Sequence, residues 1–88
     1  MHVVYLIQNT VSHELYVGVT RDLKKRLVTH NSGAVTATRR SGEWVLIYAE
    51  AYRDEHDARE REHHLKQRGA AKRGVYERVR RSFLENKK

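Results

Sequence analysis

The sequence predicts an α+β fold in which a three-stranded antiparallel sheet is flanked by helices, in the order ββαβαα. Three observations carry that expectation. Residues 2 to 8 (HVVYLIQ) and Glu14 to Val19 are short runs of strand character, separated by the polar, hairpin-sized stretch Asn9 to His13. Trp44 to Ala51 is a third run of the same kind. The segments between and after these runs carry apolar residues at helical rather than alternating spacing.

The first run is apolar and β-branched throughout, which suits a strand covered on both faces. In the second, Leu15, Val17 and Val19 fall on one face and Tyr16 and Gly18 on the other, so the two runs read as antiparallel neighbours. With the hairpin taken as symmetric about Thr10 and Val11, Tyr5 and Tyr16 become cross-strand partners. Thr20 or Asp22 can cap a helix over Leu23 to His30, which Asn31 or Gly33 can end. Ser32 to Gly42 holds Gly33, Gly42, Thr36, Thr38, Ser41, Arg39 and Arg40 and reads as a basic, mobile loop. After the third strand, Asp54 and Asp57 resemble a helix start, with Ala58, Glu62 and Leu65 continuing the helix until Gly69 stops it. A last helix is expected over Arg73 to Leu84. Its Val75, Val79 and Phe83 share one stripe, and Arg73, Arg78, Arg80 and Arg81 are left for solvent or phosphate.

A chain of 88 residues with 39% apolar content has enough for one modest core, so residues 1–88 are expected to form a single domain. No window approaches the roughly 20 apolar residues of a membrane span, and no signal-peptide pattern precedes Val3, which points to a cytoplasmic protein. The absence of cysteine excludes disulfides, thiolate metal sites and cysteine nucleophiles. Eighteen Lys and Arg against eleven Asp and Glu give a net charge of +7. On so small a surface that charge attracts polyanions, and nucleic acid is the natural partner.

Polar residues on the inward face of a helix are informative, because burying a charge is costly unless it is paired, metal-bound or facing a cleft. On the first helix Leu23, Arg26, Leu27 and His30 share one arc of about 100°. On the second, Ala58, Arg61, Glu62 and Leu65 share a stripe, which makes Glu62 a candidate metal ligand. Tyr5, Tyr16, Arg26, His30 and Glu62 together suit phosphodiester hydrolysis. That reaction needs a base for water, positive charge for the developing phosphorane and a cation held by carboxylate oxygen. A free tyrosine, with a pKa of about 10, is a poor base at neutral pH without nearby positive charge, and His30 is an alternative proton acceptor that sequence does not rank against it.

Val3, Val4, Tyr5 followed by Tyr16, Val17, Gly18 resembles, in conservatively altered form, the two half-motifs that name the GIY-YIG nucleases. Val3 stands where the first half-motif has glycine and Val17 where the second has isoleucine; Arg68 stands where small members often carry an aromatic. The likeness continues through Thr20, Asp22, Leu23, Arg26, Leu27, His30, Asn31 and Gly33, then Tyr48 and Glu50, then Ala58, Arg61, Glu62, Leu65 and Lys66, covering about residues 3–68. It is nearest to the small single-domain bacterial members, which are related to the nuclease half of a DNA-repair excinuclease. The resemblance implies a metal-dependent endonuclease with one divalent ion, Mg²⁺ or Mn²⁺. It implies that Glu62 holds the metal, that Arg26 stabilises the transferred phosphate, and that Tyr5 is the general base with Tyr16 and His30 assisting.

Lys25, Thr36, Arg39, Arg40, Lys66, Lys72 and Arg73 are the residues expected to contact nucleic acid, with Thr38 also placed among the phosphate-tracking loop residues. A protein partner can supply target specificity. The alternatives are a non-catalytic nucleic-acid-binding module on the same fold, and an assembly domain that sets its basic face against an acidic protein. A zinc site at His56, His63 and His64 is disfavoured, since the HExxH order is absent and adjacent His63 and His64 point about 100° apart on a helix.

Overall fold

The computed structural model describes residues 1–39, 42–67 and 69–84. Strands β1 (His2–Asn9), β2 (Leu15–Thr20) and β3 (Trp44–Tyr52) form one antiparallel sheet in the order β2-β1-β3, with helices α1 (Leu23–Asn31), α2 (Glu55–Lys66) and α3 (Ala70–Arg78). Central β1 is buried from Val4 to Asn9, as its unbroken apolar character predicts. Its even and odd residues serve two separate clusters. Val4 and Leu6 pack with Leu15, Val17, Val19, Ala58, Leu65 and Val75 from β2, α2 and α3. Tyr5 and Ile7 pack with Trp44, Tyr16, Leu23 and Leu27.

The hairpin register differs from the symmetric one. Tyr5 pairs with Gly18, and Tyr16 pairs with Ile7. The buried Asn9 side chain explains the change: its Oδ1 accepts from the backbone N–H of Val11 (2.8 Å) and Ser12 (2.9 Å), building a turn that moves the apex toward the β2 side. His13 closes that turn in the left-handed region, with φ 63°. Because the side-chain period of a strand is two, the slip leaves both tyrosines on the same face and sets them diagonally.

Between β1 and β3 the register jumps at Leu6/Ile7, whose partners are Tyr48 and Leu46. The bulge leaves Ile47 to pack with the α2/α3 cluster and turns Trp44 to the opposite one.

Both helix starts follow the expected chemistry. Asp22 Oδ1 accepts from the Lys25 N–H at 3.0 Å, while Thr20 Oγ1 holds the Asp22 N–H at 3.1 Å. Asp54 Oδ1 accepts from His56 and Asp57. The last helix departs from expectation, running over Ala70–Arg78 instead of Arg73–Leu84. Gly69, at φ 147°, turns the chain, and the good helix formers Ala70, Ala71 and Lys72 start the helix at once. A 3-10 turn, Arg80–Ser82, then lets Phe83 stack on Tyr76 with ring centroids 4.5 Å apart. The Leu84 N–H closes on Gln8 Oε1 at 2.7 Å.

The segment expected to be a mobile loop is partly folded. Thr36–Thr38 form a 3-10 turn anchored where Trp44 Nε1 donates to the Thr38 carbonyl at 2.8 Å. Asn31 ties the end of α1 to the start of β3 by donating to the Trp44 carbonyl (3.1 Å) and accepting from its N–H (2.7 Å). Arg40, Ser41 and Arg68 lie outside the described residues. No helix among the described residues is long and apolar enough to cross a membrane.

Candidate active site

The Tyr5 ring lies over Gly18, close enough that a Cβ there would sit 2.6 Å from Tyr5 Cζ. Glycine is thus required at this point of β2 by close approach. Its effect is to send the Tyr5 hydroxyl toward α1, where it meets His30 Nε2 at 2.7 Å. The other ring nitrogen of His30, Nδ1, is 2.8 Å from Thr38 Oγ1. Tyr5, His30 and Thr38 are each 1% exposed, so this is a buried chain of polar groups in which every member has a partner.

Tyr16 stands beside the pair. Its ring centroid is 6.4 Å from that of Tyr5 and 4.9 Å from that of His30, edge-on to the imidazole. Unlike Tyr5 it is only half-buried, and Arg26 is exposed. The positive charge of Arg26 acts on the Tyr5 hydroxyl and favours its ionised form, and the charge of the Glu62 carboxylate reaches the same group. Of the five residues marked in the sequence, Tyr5, Tyr16 and His30 are in contact, and the charges of Arg26 and Glu62 reach Tyr5. Tyr5 and His30 form a buried floor, and Tyr16 and Arg26 a more accessible rim. Glu62 stands at the side, its Oε2 paired with Lys66 Nζ at 3.0 Å.

Burial governs the electrostatics of the floor. Desolvation pushes the Tyr5 hydroxyl above its usual 10.0, outweighing the lowering by Arg26, and the Tyr16 and Glu62 charges add to the rise. Desolvation, followed by the Arg26 charge, lowers His30 below 6.5. At neutral pH the pair is thus an un-ionised phenol against an un-ionised imidazole.

Of the residues expected to contact nucleic acid, Lys66 comes to the rim, its Nζ 6.0 Å from the Tyr16 ring centroid. Lys25 borders a shallow cleft with Arg26, Thr20, Asp22 and Thr29. Thr36 is exposed on the 3-10 turn, while Arg39 folds back to donate from Nε to the Gly33 carbonyl at 2.9 Å. Lys72 and Arg73 sit on α3, which packs on the sheet face opposite Tyr5; Lys72 lines a small apolar pit with Leu6, Leu15 and Leu65. Thr38 does not track phosphate, because its hydroxyl is buried on His30. His63 and His64 are exposed on α2, and His63 Nε2 meets Gln67 Nε2 at 3.0 Å.

Two features have no clear sign in the residue pattern of the site itself. One is the Thr38 contact, since a threonine in a polar loop carries no signal. The other is a network on the opposite face. Glu50 accepts from Tyr48 (2.6 Å), Tyr52 (2.5 Å) and, bidentately, Arg61 (2.9 and 3.0 Å). It accounts for the inward charge of Arg61, and the alternation of Tyr48, Glu50 and Tyr52 along β3 is its available sign. The network holds Glu50 down at about 2: burial alone would raise the carboxyl, and the hydrogen bonds from Arg61 and the two tyrosines overcome it. The same contacts, with burial foremost, push Tyr52 up to about 12.

Comparison with known proteins places these features in one family. Residues 1–75 match the family model described as the GIY-YIG catalytic domain. A UPF0213 protein of Desulfotalea psychrophila is 38% identical over 66 residues, which is 73% of this chain and 59% of that protein. A UPF0213 protein of Bacillus pumilus is 40% identical over 65 residues, 70% of this chain and 64% of its own length. The match thus spans under two thirds of either relative. The solution NMR structure of a UPF0213 protein from Bacillus halodurans has 25% identity and a TM-score of 0.54, covering 89% of this chain and 83% of that one. Its fold, the paired tyrosine strands and the 75 matched residues agree, and the chain belongs to the GIY-YIG catalytic domain family, whose members are in general nucleases.

Proposed function

We propose that the chain is a metal-dependent endonuclease that hydrolyses phosphodiester bonds in DNA or another nucleic acid, with Tyr5, Tyr16, Arg26, His30 and Glu62 as its site. The observation that carries the reading is the buried contact of the Tyr5 hydroxyl with His30 Nε2, set beneath an exposed arginine. A buried tyrosine hydroxyl needs a hydrogen-bond partner in any case, and a neutral imidazole is one that can also take its proton.

No group of three or more acidic or histidine side chains among the described residues forms a metal cage, so a divalent ion would rest on the one carboxylate of Glu62. Glu62 offers the carboxylate oxygen that hard cations prefer, and Mg²⁺ is ordinarily held by one or two carboxylates with water and phosphate oxygens completing its shell. When bound, the ion supplies Lewis-acid charge against the phosphoryl oxygens. Lys66, half-exposed, is free to release Glu62 and turn to phosphate.

The chain's own residues then do the following. Arg26 places its guanidinium against the charge that develops on the phosphoryl group. Tyr5 takes a proton from the attacking water while its own proton passes to His30 Nε2, so the hydroxide equivalent adds to phosphorus and the bond to the leaving oxygen breaks. The lowered pKa of His30 keeps the ring neutral, and so able to accept a proton, at neutral pH. Tyr16, wedged against the imidazole, orients the water from the rim. The net charge of +7 gathers the polyanion, and a protein partner inside the cell supplies target choice.

One observation favours a binding-only module: the Glu62 carboxylate is already satisfied by Lys66. Cleavage of labelled single-stranded, duplex and branched DNA and RNA, in Mg²⁺, Mn²⁺ or chelator, separates the two. Metal-dependent cutting lost in Glu62→Ala and in Tyr5→Phe is the expected result. Equal, salt-sensitive binding by all three proteins with no cutting overturns it in favour of the module.

A further inference from the structure

We propose that Thr38 is a positioning residue of this site: its buried hydroxyl fixes the ring proton of His30 on Nδ1 and leaves Nε2 bare for the Tyr5 proton. The inference rests on the reading of Tyr5 and His30 as the proton path.

Protons can be counted along this chain because its two ends are chemically one-sided. At one end the positive charge of Arg26 acts on the Tyr5 oxygen, which favours the single Tyr5 proton pointing away from it. The partner it meets is His30 Nε2, at 2.7 Å. At the other end Thr38 Oγ1 lies 2.8 Å from His30 Nδ1 and 3.4 Å from the Val35 carbonyl, which only accepts.

A hydroxyl has one proton to give. If Thr38 gives it to Nδ1, its contact with Val35 is lost, and Nε2 carries a hydrogen aimed at the oxygen that Arg26 also addresses. If Thr38 gives it to Val35, every contact is a hydrogen bond running one way. Tyr5 donates to Nε2, Nδ1–H to Thr38, and Thr38 to Val35. Only this arrangement keeps all three and turns the Tyr5 proton away from the Arg26 charge.

The hydroxyl is delivered by backbone rather than by chance. The Thr38 N–H also donates to the Val35 carbonyl at 3.1 Å, and Trp44 Nε1 holds the Thr38 carbonyl at 2.8 Å. Trp44 is in turn clamped to the end of α1 by Asn31, one residue beyond His30. The 3-10 turn is therefore locked to both elements that define the site. When the Tyr5 O–H bond breaks and an N–H bond forms at Nε2, the imidazolium keeps its Nδ1–H on Thr38, and the ring does not need to turn. Partners that fix the tautomer of metal-bound histidines are worth at least about tenfold in activity, and the same order is expected for one that fixes a proton-accepting histidine.

The test uses the full chain, ¹⁵N-labelled, with the tautomer of His30 read by long-range proton–nitrogen NMR and cleavage measured in parallel. The wild type is expected as the Nδ1–H tautomer. Thr38→Val, which keeps the shape and removes the hydroxyl, should move His30 toward Nε2–H and lower kcat about tenfold with KM unchanged; Thr38→Ser should restore both. An Nε2–H tautomer in the wild type overturns the inference, as does a Thr38→Val protein that keeps the Nδ1–H form. If no protein cuts any substrate, the NMR arm still decides the role of Thr38, so the two readings fail separately.

Discussion

Replacing Gly18 with alanine drives a methyl group into the Tyr5 ring. The new Cβ lies 2.6 Å from Cζ and 2.9 Å from Cε1, where ordinary carbon contacts are about 3.5–4.0 Å. Tyr5 is 1% exposed, so its ring has no solvent to retreat into. Withdrawing it by about 1 Å to restore contact distance stretches the 2.7 Å bond to His30 Nε2 beyond hydrogen-bonding range. Overpacking of this kind costs about 1–3 kcal/mol, and a weakened buried hydrogen bond adds about 1 kcal/mol. The restricted unfolded chain of alanine returns only about 0.5–1 kcal/mol, so the net loss is about 2 kcal/mol. For a domain of this size 1 kcal/mol moves Tm by roughly 4–8 °C, which sets the expected fall near 10 °C, with cleavage reduced because the proton path is displaced. Thermal unfolding by circular dichroism measures it, and a double-mutant cycle with Tyr5→Leu assigns it. That change removes the atoms struck, so Gly18→Ala in its background should cost little, leaving a coupling of about 1–2 kcal/mol. An equal loss in both backgrounds, or a single mutant with the parental Tm and cutting rate, would mean that Gly18 is not held by close approach to the Tyr5 ring.

Two further outcomes concern pH. Glu50 is held at about 2 against an ordinary 4.5, so its folded-state pKa is depressed. The stability it contributes is complete above 4.5 and is lost as pH falls through about 2, up to about 3 kcal/mol by linkage. Glu50→Gln, followed by urea unfolding at several pH values, should lower stability at pH 7 by about 2 kcal/mol, since it strands Arg61, and should flatten the acid dependence; an unchanged acid slope would sink the assignment. His30 is also depressed, from 6.5, so its neutral form stabilises the fold above that value and the contribution falls away as pH drops below it. Cleavage should weaken over the same window as Nε2 becomes protonated. An NMR titration placing His30 at or above 6.5 would contradict both.

Much of the fold is legible in the sequence because its signals are local. The β1 run, the one-faced apolar alternation of β2 and the carboxylate caps at Asp22 and Asp54 depend only on residues a few positions apart. The residues proposed for the site are marked in the same local way, since Arg26, His30 and Glu62 are polar residues on helix stripes that otherwise pack inward, and the half-motifs mark Tyr5 and Tyr16. The start of α3 is harder to read because Gly69 signals a stop for the helix before it, while its backbone also lets a helix begin at the next residue.

Tertiary structure alone decided the rest. Which residue faces Tyr5 across the hairpin depended on the buried Asn9 side chain organising the turn, and this put Gly18, not Tyr16, beneath the ring. The partner of His30 Nδ1 depended on a 3-10 turn that Trp44 holds from another strand, which made Thr38 a buried acceptor instead of a loop hydroxyl. Residue type and spacing mark a group that must be partnered when it is buried. They do not name the partner, because hydrogen bonds across the core are chosen by register and packing between segments distant in the chain.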